Sequence, residues 1–341
     1  MLLALAVLAL TPDPAGPAWR QPQLAMSGTT AVVAFGAAND VYAAVSTDSG
    51  ATFGKPVKVG SGGIASLGRH RGPRVVMSGS TIVIAAIAGA KGKGLDGELF
   101  AWRSTDLGKT WSKPQIVNYV PGAARDGLHA LAAGPNGLLF ATWLDLRKKG
   151  MRLAGSISKD GGATWSPNFF VYESPDGHVC ECCHPSAAIG PDGAIHVMFR
   201  NWLGGSRDMW HGVSKDGGKT FKTQVVGQGT WKLNACPMDG GGLAIKADGS
   251  VVTSWRRESQ IFYTNGAKFE APGWAGKDSS LALDQNGNPV IAWTEGMKIV
   301  VFDGKKRELA PHGAFPSVAA GGGTILAAWE QGTGIALTSI R

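Results

Sequence analysis

Residues 158–165 read S-K-D-G-G-A-T-W, and this arrangement of serine, aspartate, glycine, threonine and an aromatic residue occurs four times in the chain. The other copies read S-T-D-S-G-A-T-F, S-T-D-L-G-K-T-W and S-K-D-G-G-K-T-F. The copies start at residues 46, 104, 158 and 214, so the intervals between them are 58, 54 and 56 residues. A pattern that returns at nearly constant spacing predicts a repeat architecture, in which each unit buries its apolar face against its neighbours.

The chemistry of the motif is that of a tight β-turn. The aspartate carboxylate can accept hydrogen bonds from backbone N–H groups of the turn, as in an Asx-turn. The glycine two residues later can supply a positive φ, the threonine begins the next strand, and the aromatic side chain packs under the turn. We therefore predict a structural role for the four motif aspartates, which are Asp48, Asp106, Asp160 and Asp216.

The four motifs resemble the Asp-box, also called the bacterial neuraminidase repeat, of sialidase-like β-propellers. The resemblance covers nearly the whole chain beyond about residue 19 and implies an all-β ring of four-stranded blades. Seven candidate innermost strands start near Gln21, Pro73, Leu128, Pro185, Gly241, Ser279 and Pro316. The last repeat has room for only three strands. We therefore predict seven blades, with residues before Gln21 supplying the missing strand, and six blades as the alternative.

The composition suits a turn-rich β protein and excludes several other classes. The chain has 341 residues, 44% of them hydrophobic, with 50 glycines, 18 prolines and no Gly-x-y period, so it can bury a large core and is not a collagen. No apolar run reaches about 18 residues, so we predict no membrane span. The formal net charge is +8 without any block of five basic residues. This distribution argues against a nucleic-acid partner and leaves open a basic funnel for an acidic ligand.

The segment before the repeats has the features of a leader. Residues 2–10 form an apolar run that is long enough for the hydrophobic region of a signal peptide and too short to span a bilayer. We therefore predict a leader at residues 1–18 and a single propeller domain at residues 19–341. The leader predicts a periplasmic or secreted protein, in a compartment where thiols can be oxidised or can hold metal.

The order of the strands assigns the two faces of the propeller. With strands a to d running from the inside to the outside of a blade, the a–b and c–d turns lie on one face. The b–c loops and the d–a links between blades lie on the other. The Asp-boxes are c–d turns, so we expect a functional site on the opposite face, just before strand a or just after strand b.

All four cysteines fall in two consecutive d–a links. The segment Cys180-Glu181-Cys182-Cys183-His184 leads into the fourth blade, and Cys236-Pro237-Met238-Asp239 leads into the fifth. Adjacent blades place these links side by side, so we predict one cluster. Its members could form disulfides among Cys180, Cys182, Cys183 and Cys236. Alternatively, the thiolates, with His184 and Met238 as additional ligands, could hold a soft metal, Cu(I) best and Zn(II) less well.

Two resemblances bear on the choice between these alternatives. Cys-x-Cys-Cys looks like the motif of periplasmic copper-resistance proteins that hold thiolate-bridged copper clusters. A subset of sialidase-like bacterial proteins pairs such a link with a later Cys-Pro segment, and this chain resembles that subset. The stretch Cys180-x-x-Cys183-His184 also fits the pattern for covalent c-type haem, which we disfavour because a propeller rim encloses little of a haem. We predict an exported propeller that binds Cu(I), or another small ligand in its funnel.

Hydrolysis of a terminal sialic acid, or of a related acidic sugar in a glycan, is the alternative function. The resemblance implies that a sialidase holds the substrate carboxylate with three arginines and uses a glutamate-activated tyrosine as nucleophile. Trp19-Arg20-Gln21-Pro22 is similar to the family's aromatic-Arg-Ile-Pro motif except at Gln21, and Arg200 and Arg256 are the other clamp candidates. No tyrosine occurs late in the chain near a channel edge, where the family keeps its nucleophile. We therefore rank metal binding above hydrolysis.

Overall fold

Seven antiparallel sheets build the protein in a computed structural model, which describes residues 7–92, 94–266, 270, 271 and 273–340. The innermost strand of each sheet contacts the innermost strand of the next sheet. The innermost strand of the last sheet contacts that of the first, so the sheets close into a ring. The predicted all-β propeller with seven four-stranded blades is therefore confirmed.

The strands of the first three blades follow the predicted order. The first strand in sequence is β1 (Val7–Leu10). Blade 1 contains β2 (Trp19–Ser27), β3 (Thr30–Ala37), β4 (Asp40–Ser46) and β5 (Val57–Ser61). Blade 2 contains the short extra strand β6 (Ile64–Ala65), β7 (Arg74–Ser78), β8 (Thr81–Gly89), β9 (Glu98–Ser104) and β10 (Gln115–Ile116). Blade 3 contains β11 (His129–Ala133), β12 (Leu139–Asp145), β13 (Arg152–Ser158) and β14 (Phe169–Tyr172). Two 3-10 turns, Arg125–Gly127 and Pro135–Gly137, flank β11.

The remaining blades repeat the same plan. Blade 4 contains β15 (Ser186–Ile189), β16 (Ile195–Arg200), β17 (Met209–Ser214) and β18 (Lys222–Val225). Blade 5 contains β19 (Gly241–Ile245), β20 (Val251–Arg257), β21 (Gln260–Asn265) and β22 (Trp274–Ala275). Blade 6 contains β23 (Lys277–Leu283), β24 (Pro289–Glu295), β25 (Lys298–Phe302) and β26 (Lys306–Ala310). Blade 7 contains β27 (Ala314–Gly321), β28 (Thr324–Gln331) and β29 (Gly334–Ser339), and β1 is its outermost strand.

The core lies between neighbouring blades and is centred on the second strand of each blade. Strands β3, β12 and β28 are buried along nearly their whole length, because both faces of the sheet pack against other blades. Their sequences are accordingly almost continuous apolar runs rather than alternating ones. Four tryptophans in different blades are fully buried, three of them on second strands (Trp143, Trp293 and Trp329) and one on a third strand (Trp102).

The Asp-box turns have the predicted structure. In the third copy, Asp160 accepts hydrogen bonds from the Ser158 hydroxyl (2.7 Å) and from the Thr164 backbone N–H (2.9 Å) and hydroxyl (2.5 Å). These bonds, led by that of the Thr164 hydroxyl, lower the pKa of Asp160 from 3.8 to about 2. Gly162 has a φ of 86°, and a Cβ there would lie 3.0 Å from Val83 in blade 2. The motif therefore requires glycine both for the turn and for the approach of the neighbouring blade.

An N-terminal strand closes the ring. Strand β1 pairs antiparallel with β29, with Val7 opposite Thr338 and Leu10 opposite Ile335. This pairing confirms the prediction that residues before Gln21 complete the last blade. The predicted leader spans the same segment, and its residues 1–6 lie outside the described part of the chain. Export therefore stays a prediction. Among the described residues, no helix is long and apolar enough to cross a membrane.

Candidate metal centre on the channel face

The link between blades 3 and 4 is held against the end of strand β16. The backbone N–H of Cys180 donates to the carbonyl of Arg200 at 3.0 Å, and an isolated bridge joins Val179 to Asn201. These contacts place the cysteine-rich link beside the residues that follow the second strand of blade 4. The link is thus on the face predicted for a functional site, opposite the Asp-box turns.

Three cysteines of this link form a buried group, which we call the thiol trio: Cys180, Cys182 and Cys183. Their exposed fractions are 1%, 8% and 2%. The Cys180 sulfur lies 3.7 Å from that of Cys182 and 3.3 Å from that of Cys183, and all three sulfurs lie within 4.8 Å of one another. Met238, from the next link, packs against them. The predicted convergence of the two links is therefore observed for three cysteines and a methionine.

Cys236 lies outside the thiol trio. Its side chain is exposed, whereas the next residue, Pro237, is buried and turns the chain inward towards Met238. All four cysteines are free thiols, and the sulfur separations in the trio exceed the ~2.05 Å of a disulfide bond. The structure thus brings together three of the four predicted thiols and leaves the fourth on the surface.

A half-buried positive charge supports the trio. Arg207 donates to the Cys180 sulfur at 3.0 Å, and its guanidinium lies over the ring of Trp202, 4.0 Å from the centroid. Hydrogen bonds with the thiols of Cys182 and Cys183, together with the charge of Arg207, lower the pKa of Cys180. Burial raises the pKa of Cys183 to about 12. The group therefore holds one stabilised thiolate flanked by two thiols. Sequence reasoning missed Arg207, because nothing in its local sequence indicates that its loop faces the cysteines.

His184 faces a second group rather than the thiols. Its imidazole stacks on that of His70, with ring centroids 4.4 Å apart, and both line the end of a central channel cavity of about 240 Å³. Burial, followed by the nearby charges of His70 and Arg74, holds the pKa of His184 well below 6.5. The prediction of His184 as a ligand beside the cysteines therefore finds no geometric support.

The second group, which we call the channel cluster, consists of His70, His184, Asp239 and Asp278. The Nε2 atom of His70 lies 2.9 Å from Oδ1 of Asp278 and 3.8 Å from Oδ1 of Asp239. The backbone N–H of Asp278 donates to Oδ2 of Asp239 at 2.9 Å. Burial and the neighbouring Asp278 raise the pKa of Asp239. Burial alone would raise the pKa of Asp278, but the hydrogen bond and charge of His70 lower it.

The backbone on this face adopts the left-handed region at several residues other than glycine. The φ angles of His70, Met238, Asp278 and Phe315 are 67°, 56°, 60° and 51°. Such residues are uncommon, and they concentrate at functional sites when the surrounding structure fixes them. In blade 6, the strand register shifts between Lys277 and Ser280, around Asp278. These bends aim the side chains that precede the innermost strands towards the channel.

The arginines proposed for a sialidase clamp have other partners. Arg200 is 2% exposed, and its guanidinium donates to the backbone carbonyls of Asp239 (3.2 Å), Arg207 (2.7 Å) and Arg256 (2.7 Å). It therefore ties the loops around blade 4 together.

The other two clamp candidates also bind protein groups. Arg20 donates to Glu330 (3.2 Å) and to the carbonyl of Gly332 (3.2 Å). Arg256 donates to the carbonyls of Glu258 (2.5 Å) and Pro237 (3.4 Å). Arg200 and Arg256 both lie over the ring of Trp231, 5.3 and 5.7 Å from its centroid, and none of the three arginines lines the central channel cavity.

Comparison with known proteins identifies the family. The model of the BNR repeat-like domain matches residues 38–252, which is more than half of the chain. Among solved structures, a Hadza microbial sialidase, Hz136, is 14% identical with a TM-score of 0.53, covering 89% of this chain and 73% of that one. The virginiamycin B lyase of Staphylococcus aureus is 15% identical with a TM-score of 0.57, covering 98% and 99%. The alpha-L-arabinanase of Penicillium chrysogenum is 12% identical with a TM-score of 0.56, covering 99% and 98%.

These similarities differ in what they establish. No curated protein matches the sequence. At 12–15% identity, the solved structures show a shared propeller fold, and their different activities illustrate that one fold hosts many functions. The family match, the Asp-box turns and the seven blades agree with one another. The chain belongs to the BNR repeat-like domain family and has a sialidase-like β-propeller fold.

Proposed function

We propose that the protein binds Cu(I) through the sulfurs of Cys180, Cys182 and Cys183, on the channel face between blades 4 and 5. The observation that carries this proposal is the burial of three thiols whose sulfurs lie within 4.8 Å of one another. Buried cysteines are common as small apolar residues, but they seldom occur as a contiguous trio. Soft thiolate and thioether ligands suit Cu(I), and thiolates also suit zinc and iron–sulfur clusters.

The spacing of the sulfurs suits a shared ion. A metal–sulfur bond of about 2.3 Å, as in zinc thiolates, separates the sulfurs around one ion by roughly 3.8–4.0 Å. The observed separations from Cys180, 3.3 and 3.7 Å, require movements of only a few tenths of an ångström.

The rest of the ligand set favours copper over zinc. Met238, a soft thioether donor, packs against the trio, whereas the imidazole of His184 turns to the channel cluster. A structural zinc site uses four thiolate or imidazole ligands. Arg207 is placed to offset part of the negative charge that three thiolates would leave around a monovalent ion. These contacts support a sulfur-only site.

A competition titration tests the proposal. Reduced protein is titrated with Cu(I) under anaerobic conditions against a chelator, and the titration is repeated with Cys182→Ser, Cys183→Ser and Cys236→Ser. We expect the first two variants to lose at least tenfold in affinity. Cys236→Ser is the matched control, because it removes an exposed thiol outside the trio. Equal affinity in all three variants would refute the site. Native protein with two intact disulfides and no metal would show that the cysteines are structural.

Glycoside hydrolysis remains the alternative proposal. It draws support from the fold shared with a sialidase and an arabinanase. Against it, Arg200 is 2% exposed and each of its three nitrogens donates to a backbone carbonyl, so a substrate carboxylate has little access to it. We further propose that the protein is exported, on the basis of the apolar run at residues 2–10. Cell fractionation followed by N-terminal sequencing of the native protein tests this.

A further inference from the structure

The channel cluster gathers four potential ligands from four different blades. His70 precedes the innermost strand of blade 2, His184 that of blade 4 and Asp239 that of blade 5, and Asp278 begins that of blade 6. His70 and Asp278 are 208 residues apart in sequence, yet their side chains lie 2.9 Å apart. The ring of blades therefore builds this group at one end of the central channel.

Three members of the cluster, Asp239, Asp278 (at Oδ2) and His184, carry buried polar atoms without a hydrogen-bond partner among the described residues. Asp239 is 1% exposed, and its Oδ1 atom has no such partner. His184 is 8% exposed, and its Nδ1 atom is likewise unpartnered. Buried polar atoms are nearly always satisfied in folded proteins, so each exception calls for an explanation such as an ion. The Oδ1 atom of Asp239 lies on the side of His70, 3.8 Å from Nε2.

The surrounding charges do not neutralise both carboxylates. The buried guanidinium of Arg74 donates to the carbonyls of Pro73 and His70, and that of Arg200 donates to the carbonyl of Asp239 rather than to its carboxylate. Lys277 is the nearest ammonium group, 3.8 Å from Asp278, and its side chain is 53% exposed. A protonated His70, 2.9 Å from Asp278 and 3.8 Å from Asp239, offsets only one of the two buried carboxylates, so a divalent cation in place of that proton would balance both.

The ligand types indicate which cation the cluster would select. One imidazole nitrogen and two carboxylate oxygens, from His70, Asp239 and Asp278, lie within 4.8 Å of one another. The ring of His184 stacks on His70 and supplies a second nitrogen nearby. Mixed imidazole and carboxylate ligands suit divalent first-row metals of borderline hardness. The adjoining channel cavity of about 240 Å³ gives an ion a route to the cluster.

We propose that His70, Asp239 and Asp278, with His184 as an additional ligand, bind a divalent cation of the Zn(II) class at the end of the channel. This site is distinct from the thiol trio, although the two share their links. Cys183 belongs to the trio, and Met238 packs against it. The residues that follow them in sequence, His184 and Asp239, belong to the channel cluster and lie beside His70. The propeller would then hold Cu(I) at the thiol trio and a divalent cation at the channel cluster, on opposite sides of the same two links.

Cobalt(II) is the probe that separates the two sites. Sulfur ligands give Co(II) a strong near-ultraviolet charge-transfer band, whereas nitrogen and oxygen ligands give only weaker visible d–d bands. We expect reduced wild-type protein to bind Co(II) with d–d bands, and Zn(II) to displace it. Asp239→Asn and His70→Gln should each weaken Co(II) binding at least tenfold, while Cys183→Ser should leave those bands unchanged. Asp248→Asn and His312→Gln are matched controls from exposed positions outside the cluster.

Melting temperatures with and without Zn(II) test the proposal even if one of the variants folds poorly. Asp239→Asn removes a buried charge while its remaining oxygen can still accept from the backbone N–H of Asp278. We therefore expect its metal-free melting temperature to equal or exceed that of the wild type, whereas Zn(II) should raise only the wild-type value. Asp278→Asn serves as the second variant. Three results would overturn the proposal. They are the absence of d–d bands, a sulfur charge-transfer band in place of the d–d bands, and equal Co(II) affinities of the cluster variants and the controls.

Discussion

Replacing Asp160 by alanine tests the structural role of the Asp-boxes. The substitution removes an acceptor for three hydrogen bonds, from the Ser158 hydroxyl and from the backbone and hydroxyl of Thr164. A net hydrogen bond contributes roughly 0.5–1.5 kcal/mol. The Asp160 side chain is exposed, so water replaces part of this contribution. Three such bonds would give about 1.5–4.5 kcal/mol, so with water replacing part of this we expect the free energy of unfolding to fall by roughly 1–2 kcal/mol, near the low end of that range.

The same substitution should show a defined pH dependence. The pKa of Asp160 is about 2 in the folded protein and 3.8 ordinarily, so the stability that it contributes is fully present above pH 3.8. That contribution is lost as the pH falls through about 2. Chemical denaturation should therefore give a constant difference between wild type and Asp160→Ala near neutral pH, and a shrinking difference from pH 4 to pH 2.

Two results would refute this account of the turn. Asp248→Ala is a control in an a–b turn on the same face, where the carboxylate accepts from Ser250 and not from two residues that clasp the turn, so its effect should be smaller. An equal loss in both variants would show that Asp160 has no special role. The Asp-box also lies on the face opposite the thiol trio. A tenfold loss of Cu(I) affinity in folded Asp160→Ala would therefore contradict the assignment of faces.

Three further predictions concern closure, the buried arginine and catalysis. Deleting residues 1–10 removes β1 and should lower the melting temperature and speed proteolysis of blade 7; an unchanged melting temperature would contradict closure by this strand. Arg200→Ala leaves three backbone carbonyls without their donor and should lower the free energy of unfolding by about 3 kcal/mol or more in chemical denaturation. An unchanged free energy of unfolding would contradict this structural role and favour a role of Arg200 in ligand binding. A fluorogenic sialoside should not be cleaved efficiently, and robust turnover that Arg20→Ala abolishes would restore the sialidase hypothesis.

Local chemistry made most of the fold predictable from the sequence. The Asp-box specifies its own turn, because its hydrogen bonds join residues two to four positions apart. The four motifs therefore located the strands on either side. In blade 4, the strand predicted to start at Pro185 begins at Ser186, and in blade 5 the strand predicted at Gly241 begins at that residue. Closure by an N-terminal strand followed from counting strands, because the last repeat leaves no room for a fourth.

The candidate site was predictable only in part, because it depends on side-chain direction and on contacts between distant blades. The order of strands placed the two cysteine links side by side, and Cys180, Cys182, Cys183 and Met238 do converge. It could not show that Cys236 remains on the surface.

Contacts between distant blades explain why the sequence did not predict the channel cluster. Cys183 packs within the thiol trio, whereas the next residue, His184, stacks on His70 in the channel. The approach of His70 to Asp278 joins links from different blades, and left-handed backbone at both residues aims them. A single sequence carries no local signal for either contact.

X-ray absorption at the copper edge of protein loaded anaerobically with one equivalent of Cu(I) tests the central claim most directly. The account predicts about three sulfur neighbours and no nitrogen or oxygen neighbour, because the trio and Met238 offer only sulfur and His184 faces the channel. The same spectrum is expected from Cys236→Ser, and a change from Cys182→Ser. Copper surrounded by nitrogen or oxygen, or protein that takes up no Cu(I) with its thiols reduced, would contradict a soft-metal site at Cys180, Cys182 and Cys183.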